Sequence, residues 1–171
     1  MLFKIALLGS IPKGDKERRD WYDWKIKYKK HLSLIDNVEF TDGDAWRDEA
    51  KPNLLVGHDL SLIKDADLVI VNAETKLGAG TSQEMLVAKY FSKPVITILP
   101  KNTHHRKSNI KFNNEVINDW IHPFILMSSD VIEESVENVI PWIREYQQNP
   151  KSKKIKDISF IDKAINEYKK I

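Results

Sequence analysis

The sequence has no cysteine in its 171 residues. That absence removes disulfide scaffolds, thiolate zinc sites, thiol nucleophiles and thiol redox switches together. A strong charge of either sign is missing as well. Lys and Arg number 27 against 25 Asp and Glu, a formal net charge of +2. So small an imbalance gives no ground for nucleic acid or an anionic membrane surface as partner. No run approaches the roughly 20 apolar residues that span a bilayer. The apolar stretch from Met1 to Ser10 is broken by Lys4 and too short for a secretory leader, so a buried first strand and a cytoplasmic protein are expected. Internal repeats and low-complexity tracts are absent, as are the Walker A spacing and GxGxxG. What is present is ordinary globular composition, 42% hydrophobic and 30% charged.

The chain alternates strand and helix patterns. Apolar runs at Phe3–Leu8, Val38–Phe40, Leu68–Asn72, Pro94–Pro100 and Phe124–Met127 read as five strands. Helical spacing is read over 15–32, from Pro52 to Lys64, over Thr81–Phe91 and over Val131–Gln147. The polar, basic stretch Lys101–Asn114 reads as a loop. Alternation of this kind predicts an α/β fold, doubly wound, with a mostly parallel sheet and helices on both faces. Residues 1–148 form that domain, and 149–171 a basic hinge followed by a helix whose apolar stripe is Ile158, Ile161, Ile165 and Tyr168. Ligands in such sheets sit beyond the carboxyl ends of the strands. The loops after Leu8, Phe40, Asn72 and Pro100 are therefore the places to look.

Asp59 falls near the middle of an apolar helical stripe of Leu55, Val56, Leu60, Leu62 and Ile63. A carboxylate there faces the sheet. It is either a structural aspartate bonded to a neighbouring loop or the floor of a pocket. In Gly78-Ala-Gly-Thr-Ser-Gln-Glu84, a glycine-containing loop runs from a strand into a helix, whose N-terminus suits an anion or sugar hydroxyls. Thr81-x-x-Glu84 also has the form of a capping box, which would give Glu84 a purely structural task. Gly9-Ser-Ile-Pro-Lys-Gly14 is either a plain loop or a wrap around phosphate using Ser10, Lys13 and backbone N–H groups. In Thr103-His-His-Arg-Lys-Ser108, His105 and Arg106 form either a basic surface loop or an anion contact. The adjacent histidines lack a third ligand at metal spacing, so no metal is expected. His122 reads as a satisfied core histidine, and Trp21, Tyr22 and Trp24 read as core. The lysines after Pro150 read as a solvated face.

Three ordered pieces, Lys4–Ser10, Asp59–Asn72 and Gly80–Ala88, resemble the nucleoside 2-deoxyribosyltransferase family, which includes 2'-deoxynucleoside 5'-phosphate N-hydrolases. The resemblance covers residues 3 to 100. It implies a flavodoxin-like five-stranded fold, no cofactor, a nucleoside or nucleotide as substrate, and a homo-oligomer. It assigns Glu84 as the nucleophile on the anomeric carbon and Asp59 as the assisting acid. It implies that Gly9, Ser10 and Ile11 hold the 5' end of the sugar. Lys13, Lys76, His105 and Arg106 are candidate phosphate contacts beside Gly78, Gly80 and Thr81. Gly78 stands where the family's transferases carry an acidic residue, and Lys76 lies where phosphate-specific members have a serine nearby. Two further readings are a non-catalytic nucleotide-binding module on the same fold and, through Gly80-Thr-x-x-Glu84, a resemblance to phosphoribohydrolases that release cytokinin bases.

Overall fold

A computed structural model describes residues 2–44 and 50–171. Five parallel strands form the central sheet: β1 (Phe3–Gly9), β2 (Val38–Asp42), β3 (Leu68–Asn72), β4 (Val95–Ile98) and β7 (Val131–Glu133). Their order is β2-β1-β3-β4-β7. β1 pairs with β2 on one side (Phe3 opposite Val38) and with β3 on the other (Gly9 opposite Asn72). Every residue of β3 is buried, as a strand covered on both faces requires.

Period-two alternation divides the core in two. Ile5 and Leu7 of β1 point to the side covered by α2 (Trp24–Leu32) and α6 (Ile140–Gln148), where Trp24, Tyr28, Leu32 and Ile143 pack. Ala6 and Leu8 point to the side of α3 (Pro52–Asp65), α4 (Ala79–Tyr90) and α5 (Pro123–Ser128), among Ile63, Met85, Ala88 and Ile125. The doubly wound α/β class is therefore as the alternation predicts.

Three local expectations are corrected. The single helix over 15–32 is two: α1 (Asp15–Arg18) and α2, which starts afresh because the Asp23 side chain accepts from the Lys25 N–H at 3.0 Å. Between them Trp21 is only partly buried and Tyr22 is exposed, so of the three aromatics only Trp24 is fully in the core. The stretch 101–114 is not all loop. It opens an antiparallel hairpin, β5 (Arg106–Phe112) and β6 (Glu115–Ile121), with Asn113 turning at φ 52°, a conformation asparagine tolerates. Finally, Phe124–Met127 lies in helix α5, and the fifth strand of the sheet is β7, taken from the segment read as helical. Pro123 opens α5, and its end is closed by Ser128 and Ser129 hydroxyls donating to Phe124 and Ile125 carbonyls at 2.6 and 2.7 Å.

Asp130, just before β7, joins four segments. Its carboxylate accepts from Lys89 Nζ on α4, from the Val95 N–H of β4 at 2.7 Å and from the Lys156 N–H at 2.7 Å. Lys89 also donates to the Lys93 carbonyl at 3.0 Å and is fully buried. Burial pushes the Lys89 ammonium down and Asp130 opposes that. Beyond Lys156 comes α7 (Phe160–Tyr168), with Ile161, Ile165 and Tyr168 exposed. Among the described residues no helix is long and apolar enough to cross a membrane.

Removing one partner of a buried ion pair strands the other charge. Asp130→Ala should destabilise the protein by about 3–5 kcal/mol in urea unfolding. A loss below about 1 kcal/mol would mean that Lys89 finds another acceptor or neutralises at no cost.

Candidate active site

The carboxyl end of β1 opens into a cavity of about 570 Å³ between α3 and α4. Two strand ends and two helices supply its walls. From β1 come Leu8 and Gly9, followed by Ser10, Ile11 and Lys13 of the next loop. From the end of β2 come Thr41, Asp42 and Gly43. From α3 come Leu55, Val56, Asp59 and Leu60. From the start of α4 come Gly78, Gly80, Thr81, Gln83 and Glu84. Asp59 and Glu84, 25 residues apart in sequence, thus line one hollow on different helices.

Asp59 sits where its helical stripe predicts, but the stripe is not uniformly buried. Ile63 is buried, whereas Val56 is more than half exposed. The helix leans on the sheet through its second half and leaves the Asp59 level open toward the cavity. The Asp59 side chain is 22% exposed, and its carboxylate lies 3.3 Å from Nδ1 of His58. Glu84 is half-buried. The capping-box reading of Glu84 is corrected: the cap residue of α4 is Gly78 and no side chain caps it. Thr81 is the third helical residue, so Glu84 lies a turn beyond the position from which a glutamate reaches back to the cap. The first-turn N–H groups of α4 lack intrahelical acceptors and border the cavity.

Gly9 has a packing reason of its own. A Cβ there would lie 2.6 Å from Cζ2 of Trp24 and 3.1 Å from the Asn72 Cβ. The same indole donates to the Ser10 carbonyl at 3.1 Å and so sets the course of the loop. Lys13 lines the cavity. At the opposite rim, Asp42 accepts from Lys29 Nζ at 2.9 Å. Beyond it, Asp44 accepts from Arg18 at 2.5 Å and Lys25 at 2.9 Å. Burial pushes the Asp44 carboxyl up, but these two donors outweigh it and hold it below its ordinary value.

Lys76, His105 and Arg106 lie outside this cavity. Arg106 is spent on structure. It donates to both Asp119 oxygens at 2.8 and 2.6 Å and to the Leu99 carbonyl at 3.0 Å. Those hydrogen bonds raise the guanidinium further and hold Asp119 low. The anion-contact reading of Arg106 is therefore corrected. His105 accepts from the Leu77 N–H at 3.0 Å, and His122 is half-buried against its ring, 5.8 Å away between centroids. Among the described residues no group of three or more potential ligands could hold a metal ion.

Thr41, Asp42 and Gln83 are lining residues that the sequence reading passed over. The Thr41 hydroxyl oxygen is buried and has no hydrogen-bond partner among the described residues. The loop after Phe40 is among those that the strand ends mark, but nothing in its sequence singles out which side chains turn inward.

The sequence matches no family model and no curated protein. Among solved structures, the chain is similar to a 2-deoxyribosyltransferase from the psychrotolerant bacterium Bacillus psychrosaccharolyticus, with a TM-score of 0.51 and 17% identity over 80% of this chain and 90% of that one. It also matches a CMP N-glycosidase, BcmB, from Clostridium botulinum, with a TM-score of 0.45 and 16% identity over 82% and 97%. At these identities the likeness to the first is one of fold, the flavodoxin-like α/β arrangement.

Glycines separate packing from openness. Gly9→Ala should cost about 1–3 kcal/mol through overpacking against Trp24. A Cβ on Gly80 meets nothing within 4 Å, so Gly80→Ala should be neutral or gain up to about 1 kcal/mol as a helical Gly-to-Ala change. Equal losses in chemical denaturation would contradict an open cavity at the α4 terminus.

Proposed function

We propose that the chain cleaves the N-glycosidic bond of a nucleoside or nucleotide, passing the sugar to water or to a second base. One observation carries this: Asp59 and Glu84 face the same cavity at the carboxyl end of β1. The carboxylate of Glu84 attacks the anomeric carbon as the bond to the base breaks, giving a glycosyl ester. Asp59 donates a proton to the departing base and takes one from the incoming acceptor. Ser10 and Lys13, with the backbone of Gly9 and Ile11, receive the 5' end of the sugar. The N-terminal amides of α4 at Gly78, Gly80 and Thr81 meet its hydroxyls or phosphate. The fold shared with a 2-deoxyribosyltransferase supports the reading.

With Arg106 engaged elsewhere, Lys13 is the one cation among the described lining residues. Together with the α4 terminus it suits a 5'-monophosphate. The test is release of free base from ribo- and 2'-deoxyribonucleosides and their 5'-monophosphates, with and without an acceptor base. Glu84→Ala should lower the rate by at least about 10³-fold, and Asp59→Asn by about 10²–10⁴-fold. Base release that persists in Glu84→Ala would remove the nucleophile. Ligand-dependent thermal stabilisation without turnover in the unaltered protein would leave a binding module instead.

A further inference from the structure

The base of the β5–β6 hairpin is held at two points, one just past β4 and one just before α4. Arg106 holds the Leu99 carbonyl just past β4. His105, one residue earlier, accepts the Leu77 N–H through Nε2 at 3.0 Å. Leu77 is itself buried in the core. It immediately precedes Gly78, the cap of α4 and a wall of the cavity. One imidazole nitrogen therefore fixes the segment from which the first turn of α4 departs.

An acceptor at Nε2 fixes the ring's protonation. The ring must be neutral with its proton on Nδ1. An imidazolium would set an N–H against the N–H of Leu77. The ionisable groups around the ring all oppose a second proton: His104 with ring centroids 4.6 Å apart, His122 at 5.8 Å, and Lys76. From α4 and α5, the residues lining the smaller cavity beside it are uncharged, among them Ser82, Gln83, Phe124 and Ser128.

We propose that His105 is a positioning residue: its neutral ring holds the Leu77 amide and thereby fixes the start of α4, and with it the cavity wall that carries Glu84. Its catalytic consequence rests on the function proposed above, while the hydrogen bond itself does not. Burial, followed by the repulsion of His104, His122 and Lys76, lowers the affinity of the ring for a proton. Native His105 then binds a proton less readily than the unfolded chain. The contact is complete above the ordinary histidine value of about 6.5 and is lost as pH falls through the lower folded value.

The experiment is amide hydrogen exchange of Leu77 in the full chain, read as a protection factor so that the intrinsic pH dependence drops out. Imidazole ¹⁵N shifts report the His105 tautomer in parallel. Protection should be high at neutral pH and fall about tenfold as the ring protonates. His105→Gln, whose side-chain oxygen replaces Nε2 as acceptor, should keep the protection and lose its pH dependence. His105→Leu should lack it at every pH. Where base release is measurable, its acid limb should follow Leu77 in the unaltered protein and flatten in His105→Gln. Nε2 protonated at neutral pH, or Leu77 protection unchanged in a folded His105→Leu, would overturn the proposal. Leu77 behaving as described in a protein that releases no base would sink the catalytic reading and leave the positioning contact standing.

Discussion

Strand β1 lies between β2 and β3, all three parallel, so the chain must leave β1 toward one side and later return on the other. Right-handed crossovers place α2 on one face and α3 on the opposite face. Connections diverging from neighbouring strand ends cannot fill the space between them. The cavity is the result, and its walls are the residues the chain happens to carry at those ends. Gly9 shows how tightly this is built. Trp24 crosses so near the end of β1 that no side chain fits there, and its indole N–H then holds Ser10. Packing on one face of the sheet thus shapes the loop that borders the cavity on the other.

The helix carrying Glu84 is secured at both ends by polar contacts of different kinds. Its last turns are pinned by the buried Lys89–Asp130 pair, which also gathers β4 and the segment at Lys156. Taking both charges out of water costs several kcal/mol, and the pair is stable only because nearly every proton and lone pair is used. Its first turn is held at one remove, through His105 and Leu77. Between these anchors the glutamate has a fixed address while the glycines around it leave room. A hydrophobic contact at Lys89 would supply adhesion but not the directional bonds that index α4 against β4 and β7.

Sequence patterning shows best where burial is one-dimensional. Continuous apolar runs locate β1 and β3 almost to the residue, and the helical stripe around Asp59 points it to the right side of the sheet. Errors arise where the pattern is short or the partner is remote. Four apolar residues at Phe124–Met127 fit strand or helix equally, and Pro123 with the two serines decides for helix. The hairpin at 106–121 is polar and mostly exposed, so no hydrophobic alternation announces it. The task of Arg106 depends on Asp119 and Leu99, which local sequence cannot bring together. Glu84 fitted a capping box in sequence because Thr81 stands three residues before it. The chain enters the helix two residues sooner, at Ala79, and the box has no cap to close.

The charge inside the cavity is unequal: Asp42, Asp59 and Glu84 against Lys13 among the described lining residues. Like carboxylates in a half-dry hollow repel one another and favour whatever brings positive charge among them. A nucleotide in its ground state does not, since its phosphate is an anion. The sugar does so only as the glycosidic bond stretches and positive charge grows on the ring. Under the proposed reaction, the Glu84 carboxylate therefore stabilises the reacting state more than the bound substrate, which is the condition for catalysis rather than tight binding. The Lys29 contact to Asp42 and the Arg18 and Lys25 contacts to Asp44 keep that rim from adding further repulsion. Under the proposed reaction, Asp59 on α3 and Glu84 on α4 stand on the two walls between which the sugar ring would lie.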